Sequence, residues 1–332
     1  MKLCFALPDG ANLARELAPS LPCRLLLDFD GAAVEAAASA PALIDRLRRV
    51  YRHFLVGARA PRSRHLLLLE PGSAAAAILA RRLGRAPLDG HVLIADWLPW
   101  GLLIDGAALL HYYASKLLRL WVVEQWHETA ATIHAAALGA PEGGGLLMVG
   151  EAAAGKTTLA LRLIERGFRF ASDDTSCIRR RDLACLPFPM AFVLRADRET
   201  GRPATVALDG VAPHIALLDE PRWLHERWDA AAEAPFHPTA LYFLDREAGI
   251  GAAEAETLPA AEAALLLVRN LVMPLGADAE AFSAAPENFD FACRLAAGLR
   301  CARLDTSDLD GALQALLADW RSLARPLLEV AR

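Results

Sequence analysis

The chain has 332 residues, 55% of them hydrophobic, and a net charge of −5 from 35 basic and 40 acidic side chains. That length suits one large domain or two ordinary ones with a sizeable core, and the acidic balance argues against a nucleic-acid partner or an anionic membrane surface. The longest apolar runs are broken, by Asp105 within residues 98–110 and by Arg81 and Arg82 after residues 74–80, so no membrane-spanning helix is expected. The apolar start breaks at Pro8-Asp9-Gly10, too early for a signal peptide. The six cysteines (Cys4, Cys23, Cys177, Cys185, Cys293, Cys301) contain no CxxC pair. They read as free thiols of a cytoplasmic protein rather than as disulfides or zinc ligands.

A first α/β region is expected over residues 1–128. RLLLDF (24–29) and HLLLLE (65–70) read as strands, and HVLIADWL (91–98) as a further one. PALIDRLRRVYRHFL (41–55) has helical periodicity with proline in the first turn. AAAAILARRLG (74–84) is a helix ended by glycine, and residues 108–130 form a long amphipathic helix leading into the second domain.

That second domain is expected over 129–332. TIHAAAL (132–138) and GLLMVG (145–150) are apolar strands around a glycine-rich hairpin loop. PFPMAFVLR (187–195) and TALYFLD (239–245) read as strands. Helical signals lead to residues 301–320, which read as a strand, a capping turn near Ser307 and a final helix.

Gly150-Glu151-Ala152-Ala153-Ala154-Gly155-Lys156-Thr157 fits G-x-x-x-x-G-K-[ST], between an apolar strand and a helix stopped by Gly167. Glycines permit a tight turn whose backbone N–H groups, with the helix N-terminus, cradle phosphate oxygens. The expected nucleotide contacts are Gly150, Ala153, Ala154, Gly155, Lys156, Thr157 and Thr158, with Lys156 reaching the β- and γ-phosphates and Thr157 binding Mg²⁺.

Two acids follow unusually soon. FRFAS (168–172) reads as a short strand ending at Asp173-Asp174, with 16 residues (157–172) between the loop lysine and Asp173. One carboxylate can position Mg²⁺ and the other accept a proton from an attacking hydroxyl. The pair could also be a solvated turn. Asp245 is a rival acid, since an apolar strand ending in Asp is the shape of the magnesium acid in motor-type ATPases. If the hairpin sets Leu138 against Gly145, His134 falls beside Val149 at the mouth of the loop, unless it is satisfied within the core.

At these residues the chain resembles the HPr kinase/phosphorylase superfamily, in its HPr-kinase-related branch. The ordered set IHAAAL, GEAAAGKTT, ERGFRFASDD and PFPMAFVLR, over residues 133–195, carries the likeness, with weaker similarity to the C-terminus. The resemblance implies an α/β fold with a P-loop nucleotide-binding core and mixed sheet, related to phosphoenolpyruvate carboxykinase. It implies ATP and Mg²⁺ as cofactors and transfer of phosphate to a serine hydroxyl of a peptide or small protein. Some similar kinases tailor ribosomally made peptides, including lasso peptides. His134 matches the active-site histidine, Lys156 and Thr157 the phosphate and Mg²⁺ ligands, Asp173 the metal-side acid, and Asp174 the acid proposed as proton acceptor. The EIRG-type signature of HPr kinases has no counterpart here, and its place is taken by a polar stretch at 195–238. A homo-oligomer is one option for the assembly.

The polar stretch carries Arg195, Arg198, Arg202, Arg222 and Arg227 with Trp223 and Trp228. Arg195 ends a strand, so it is the candidate to neutralise phosphate oxygens. Residues 221–228 read equally as loop or short surface helix. A small-metabolite kinase and a switch ATPase without phosphoryl transfer share the same residues.

Overall fold

Burial alternates along residues 23–29 and is continuous along residues 32–38. The computed structural model describes residues 3–7, 9–57, 63–196, 215–217, 220–246 and 254–330. The chain divides into two units, Met1–Val122 with Val211–Glu226, and Val123–Gly210 with Arg227–Arg332.

The first unit is a six-stranded sheet with helices. Its elements are β1 (Leu3–Ala6), α1 (Gly10–Leu17), β2 (Cys23–Phe29), β3 (Ala32–Ala38), α2 (Pro41–Val50), β4 (Arg64–Leu69), α3 (Ala74–Arg82), β5 (His91–Ala95) and β6 (Trp100–Ile104). α4 (Gly106–Trp126) follows, and the division between the units falls inside it. The strand order is β1-β6-β5-β4-β3-β2, antiparallel except for the β3–β4 pair. α2 starts at a proline and buries Leu43, Ile44, Leu47 and Val50, an apolar stripe at helical spacing. α3 is capped by Ser73, whose hydroxyl accepts from the Ala76 N–H at 3.3 Å.

The second unit opens with β7 (Ala130–Ile133), β8 (Ala135–Gly139), β9 (Gly145–Val149), α5 (Lys156–Ile164), β10 (Arg169–Ser172), β11 (Ser176–Arg179), β12 (Cys185–Leu186) and β13 (Phe192–Arg195). The chain then supplies β14 (Ile215–Leu217) and β15 (Glu220–His225), an antiparallel pair of the first unit. So residues 221–225 are extended, not helical, with Trp223 buried. Arg198 and Arg202 lie outside the described residues. β16 (Ala240–Asp245), β17 (Ala255–Thr257), α6 (Ala260–Arg269), α7 (Ala279–Ala284), α8 (Pro286–Ala297), β18 (Arg300–Asp305) and α9 (Leu309–Val330) complete the unit.

Its main sheet runs β10-β8-β9-β16-β18-β17, with β9, β16 and β18 parallel and the others antiparallel. A three-stranded antiparallel sheet, β12-β11-β7, joins it. Alternate residues of the main sheet (Ala137, Leu147, Val149, Leu241, Phe243) pack with Leu267, Phe291 and Leu295 of α6 and α8. The architecture is mixed α/β.

Two local readings change. The segment expected as one strand over 132–138 breaks at His134, which lies between β7 and β8. The hairpin pairs Gly139 with Gly145 and Ala135 with Val149, one residue from the expected register. A shift of one residue turns every side chain to the other face.

The tight hairpin depends on glycine. A Cβ on Gly145 would overlap the Phe236 ring and lie 2.5 Å from the Leu138 carbonyl oxygen. Gly145→Ala is therefore expected to cost about 1–3 kcal/mol through forced repacking. Urea denaturation checks this, and an unchanged midpoint would contradict the observed register.

Burial also sets a pH response. The Cys177 thiol lies wholly inside the sheet and burial pushes its pKa from 9.0 up to about 12. The folded state keeps that proton while the unfolded chain loses it, so this stabilisation is complete below pH 9 and lost as pH rises towards 12. Cys177→Ala should flatten the fall in melting temperature above pH 9.

Candidate functional site

β9 feeds the turn 150–155, and α5 starts at its far end. The turn closes only with left-handed backbone at Ala153 (φ 68°) and Gly155 (φ 96°). Gly155 also lies so close to α9 that a Cβ there would stand 2.6 Å from Leu309 Cδ2. Ala154 is buried, and a Cβ on Gly150 would meet it and the Leu244 carbonyl oxygen at 3.0 Å. The first turn of α5, with Lys156, Thr157 and Thr158, presents N–H groups without intrahelical partners, which suits an anion.

Lys156 is buried at 7% exposure and folds back on the turn. Its ammonium donates to the Gly150 carbonyl, to Glu151 O at 3.1 Å and to His134 Nε2 at 3.2 Å. Three hydrogens meet three acceptors, so Nε2 is the unprotonated ring nitrogen and the hydrogen sits on Nδ1. Nδ1, carrying that hydrogen, lies 3.1 Å from Asp174 Oδ1. The result is a chain from Lys156 through His134 to Asp174. Burial holds the Lys156 pKa below 10.5, against the raising effect of Asp174 and Asp173, and the Arg195 charge lowers it further. Arg195 ends β13 and is exposed.

Thr157 Oγ1 donates to Asp173 at 2.9 Å to Oδ1 and 3.2 Å to Oδ2. Asp173 and Asp174 occupy the bend between β10 and β11, so the adjacent acids serve different partners. Among the described residues, no group of three or more His, Cys, Asp and Glu side chains is placed to hold a metal ion. Thr157 and Asp173 offer two hard oxygen donors, which suits a cation that keeps several other ligands.

Asp245 stands at the end of β16, on the strand parallel to β9, with Asp305 opposite it on β18. The Thr157 hydroxyl donates to Asp173, not to Asp245. Three contacts were not expected from the residue pattern. Arg246 Nη1 donates to Ala153 O at 3.4 Å, placing a second arginine at the turn. Asn270 O accepts the His134 N–H at 2.8 Å, and Val272 N–H donates to Thr132 O at 2.8 Å. These backbone bonds fix His134 from a segment more than a hundred residues later, a relation no local signal carries.

The arrangement can seat an oxyanion beside an ammonium, place a hydroxyl and a carboxylate for a hard cation, and hold a second carboxylate against a histidine. No family model matches the chain, and no curated protein matches it. Among the described residues, no helix is long and apolar enough to cross a membrane.

Proposed function

We propose that the chain is a kinase that transfers the γ-phosphoryl group of ATP to a serine hydroxyl of a peptide or small protein, on an HPr-kinase-like P-loop core. The observation that carries this reading is the meeting of the Lys156–His134–Asp174 chain with the Thr157–Asp173 pair at the N-terminus of α5. One acid can position the metal while the other takes the proton of an attacking hydroxyl. Here two adjacent acids face different partners.

The turn 150–155 and the first turn of α5 bind phosphate oxygens through backbone N–H groups. Lys156 exchanges its carbonyl and imidazole acceptors for β- and γ-phosphate oxygens. Thr157 and Asp173 fit Mg²⁺, whose usual set is one or two protein oxygens with phosphates and water. Bound there, the ion neutralises phosphate charge. Asp174 accepts the serine proton as the serine oxygen–phosphorus bond forms and the bond from the γ-phosphorus to the bridging oxygen breaks, leaving ADP. His134 orients that carboxylate, and Arg195 lends positive charge.

Incubating the full chain with labelled ATP and peptides encoded beside its gene, then measuring mass, should find about 80 Da added to one serine. Phosphate on a small metabolite instead would revise the acceptor class. Asp173→Asn should raise the Mg²⁺ concentration for half-maximal nucleotide binding at least about tenfold, the loss of one charged contact.

A switch ATPase has one observation in its favour, Asp245 at the end of the strand parallel to β9. On that reading Asp245→Asn, and not Asp173→Asn, shifts the Mg²⁺ requirement. ATP hydrolysis would also be vigorous without an acceptor.

A further inference from the structure

Two chain segments change sheets at the same place. β7 pairs with β11, and after His134 the chain continues as β8 between β9 and β10. β10 pairs with β8, and after Asp173-Asp174 the chain continues as β11 on β7. A register shift between Phe170 and Ser172 re-aims β10 just before the acids. His134 and both acids lie at the crossings, outside the strands, and the ladders hold only their flanks, with Ser172 opposite Ala137 and Ser176 opposite Ile133.

Two buried hydroxyls tie those flanks together. Ser176 Oγ donates to Ala135 O at 2.8 Å, on the residue after His134. Ser172 Oγ and Ser176 Oγ are 2.6 Å apart. Ser176 has one hydrogen, already given to Ala135, so Ser172 is the donor to Ser176. The chain of bonds runs Ser172 to Ser176 to Ala135. It brackets Asp173-Asp174 on both sides and ties them to the strand that starts after His134. Both serines are 0% exposed, which leaves solvent no way to replace either bond.

We propose that Ser176, backed by Ser172, is a positioning residue that keeps Asp174 in reach of His134. As a statement about turnover this rests on the kinase reading; as a statement about the His134 ring it does not. Breaking the clasp loosens the 3.1 Å Asp174–His134 contact and leaves Lys156 and Thr157 to hold nucleotide.

The test uses the full chain with Ser176→Ala and Ser172→Ala. Ser176→Ala should lower kcat about 10- to 100-fold, the scale of a misplacement near 1 Å, with KM for ATP unchanged. In an Asp174→Asn background the same change should cost nothing further, because the partner it positions is gone. A merely structural pair of hydroxyls would give additive losses, and additivity overturns the proposal. The imidazole nitrogen spectrum, with His134 assigned by His134→Gln, provides a readout without activity. The native ring should show one Nδ1–H tautomer and Ser176→Ala a broadened or mixed signal. An unchanged His134 signal overturns the proposal even where no acceptor is phosphorylated. A chain without kinase activity whose ring signal does respond overturns the kinase reading alone. Should Ser176→Ala fail to fold, Ser172→Ala removes only the backing bond and must shift kcat and the ring signal in the same direction. No shift overturns the proposal.

Discussion

Lys156→Ala is expected to remove most Mg·ATP binding while leaving the fold intact. The ammonium is the buried cation of the turn, and it donates to two backbone carbonyls and a ring nitrogen. None of these hydrogen-bond partners is an anion, and the carboxylates of Asp174, Asp173 and Glu151 act on the ammonium only through space. A phosphate anion supplies a counter-charge in direct contact. A hydrogen bond to a charged group contributes about 1.5–3 kcal/mol, so each one lost weakens binding about 10- to 100-fold. Removing the side chain also relieves the desolvation that lowers its pKa, so no large loss of stability opposes the change. Calorimetry with a non-hydrolysable ATP analogue, beside thermal melts, checks both halves. Undiminished binding with undiminished turnover would refute the assignment of the turn as a phosphate cradle.

Asp174→Asn should separate chemistry from binding. Asparagine keeps an oxygen to accept from His134 Nδ1 but cannot take up a proton. Loss of a proton acceptor costs about 10²–10⁴ in rate. Nucleotide affinity should stay near the native value, because Lys156 and Thr157 are unchanged. Single-turnover transfer measurements and nucleotide titrations together read the two effects. Near-native ATP turnover in Asp174→Asn, with inactivity in Asp245→Asn, would move the protein to the switch ATPase reading.

Parts of the site were legible because they are local. The spacing of Gly150, Gly155, Lys156 and Thr157 is a property of consecutive residues, and so is the start of α5 that it predicts. The pairing of Thr157 with the first acid follows from the short distance between α5 and β10 along the chain. β9, β16 and β4 announce themselves as apolar runs of strand length. β3 did not. Its sequence AAVEAAA is rich in alanine, a helix former with weak strand preference, yet every residue is buried between β2 and β4. Tight packing between neighbouring strands decides that element, and only small side chains reveal it in retrospect.

The residue pattern by itself determined a mixed α/β chain, a glycine-rich turn before a helix, and two carboxylates close behind it. These follow from backbone sterics and short-range periodicity, which act over a few residues. Tertiary structure alone decided where His134 sits. The break between β7 and β8, the one-residue hairpin register, the Asn270 carbonyl and the Ser172–Ser176 clasp all come from remote segments. Each is a hydrogen bond or a steric contact between backbones that meet only after the sheets assemble. That is why the same sequence stretch read as one straight strand until β11 was found to take half of it and β10 the other.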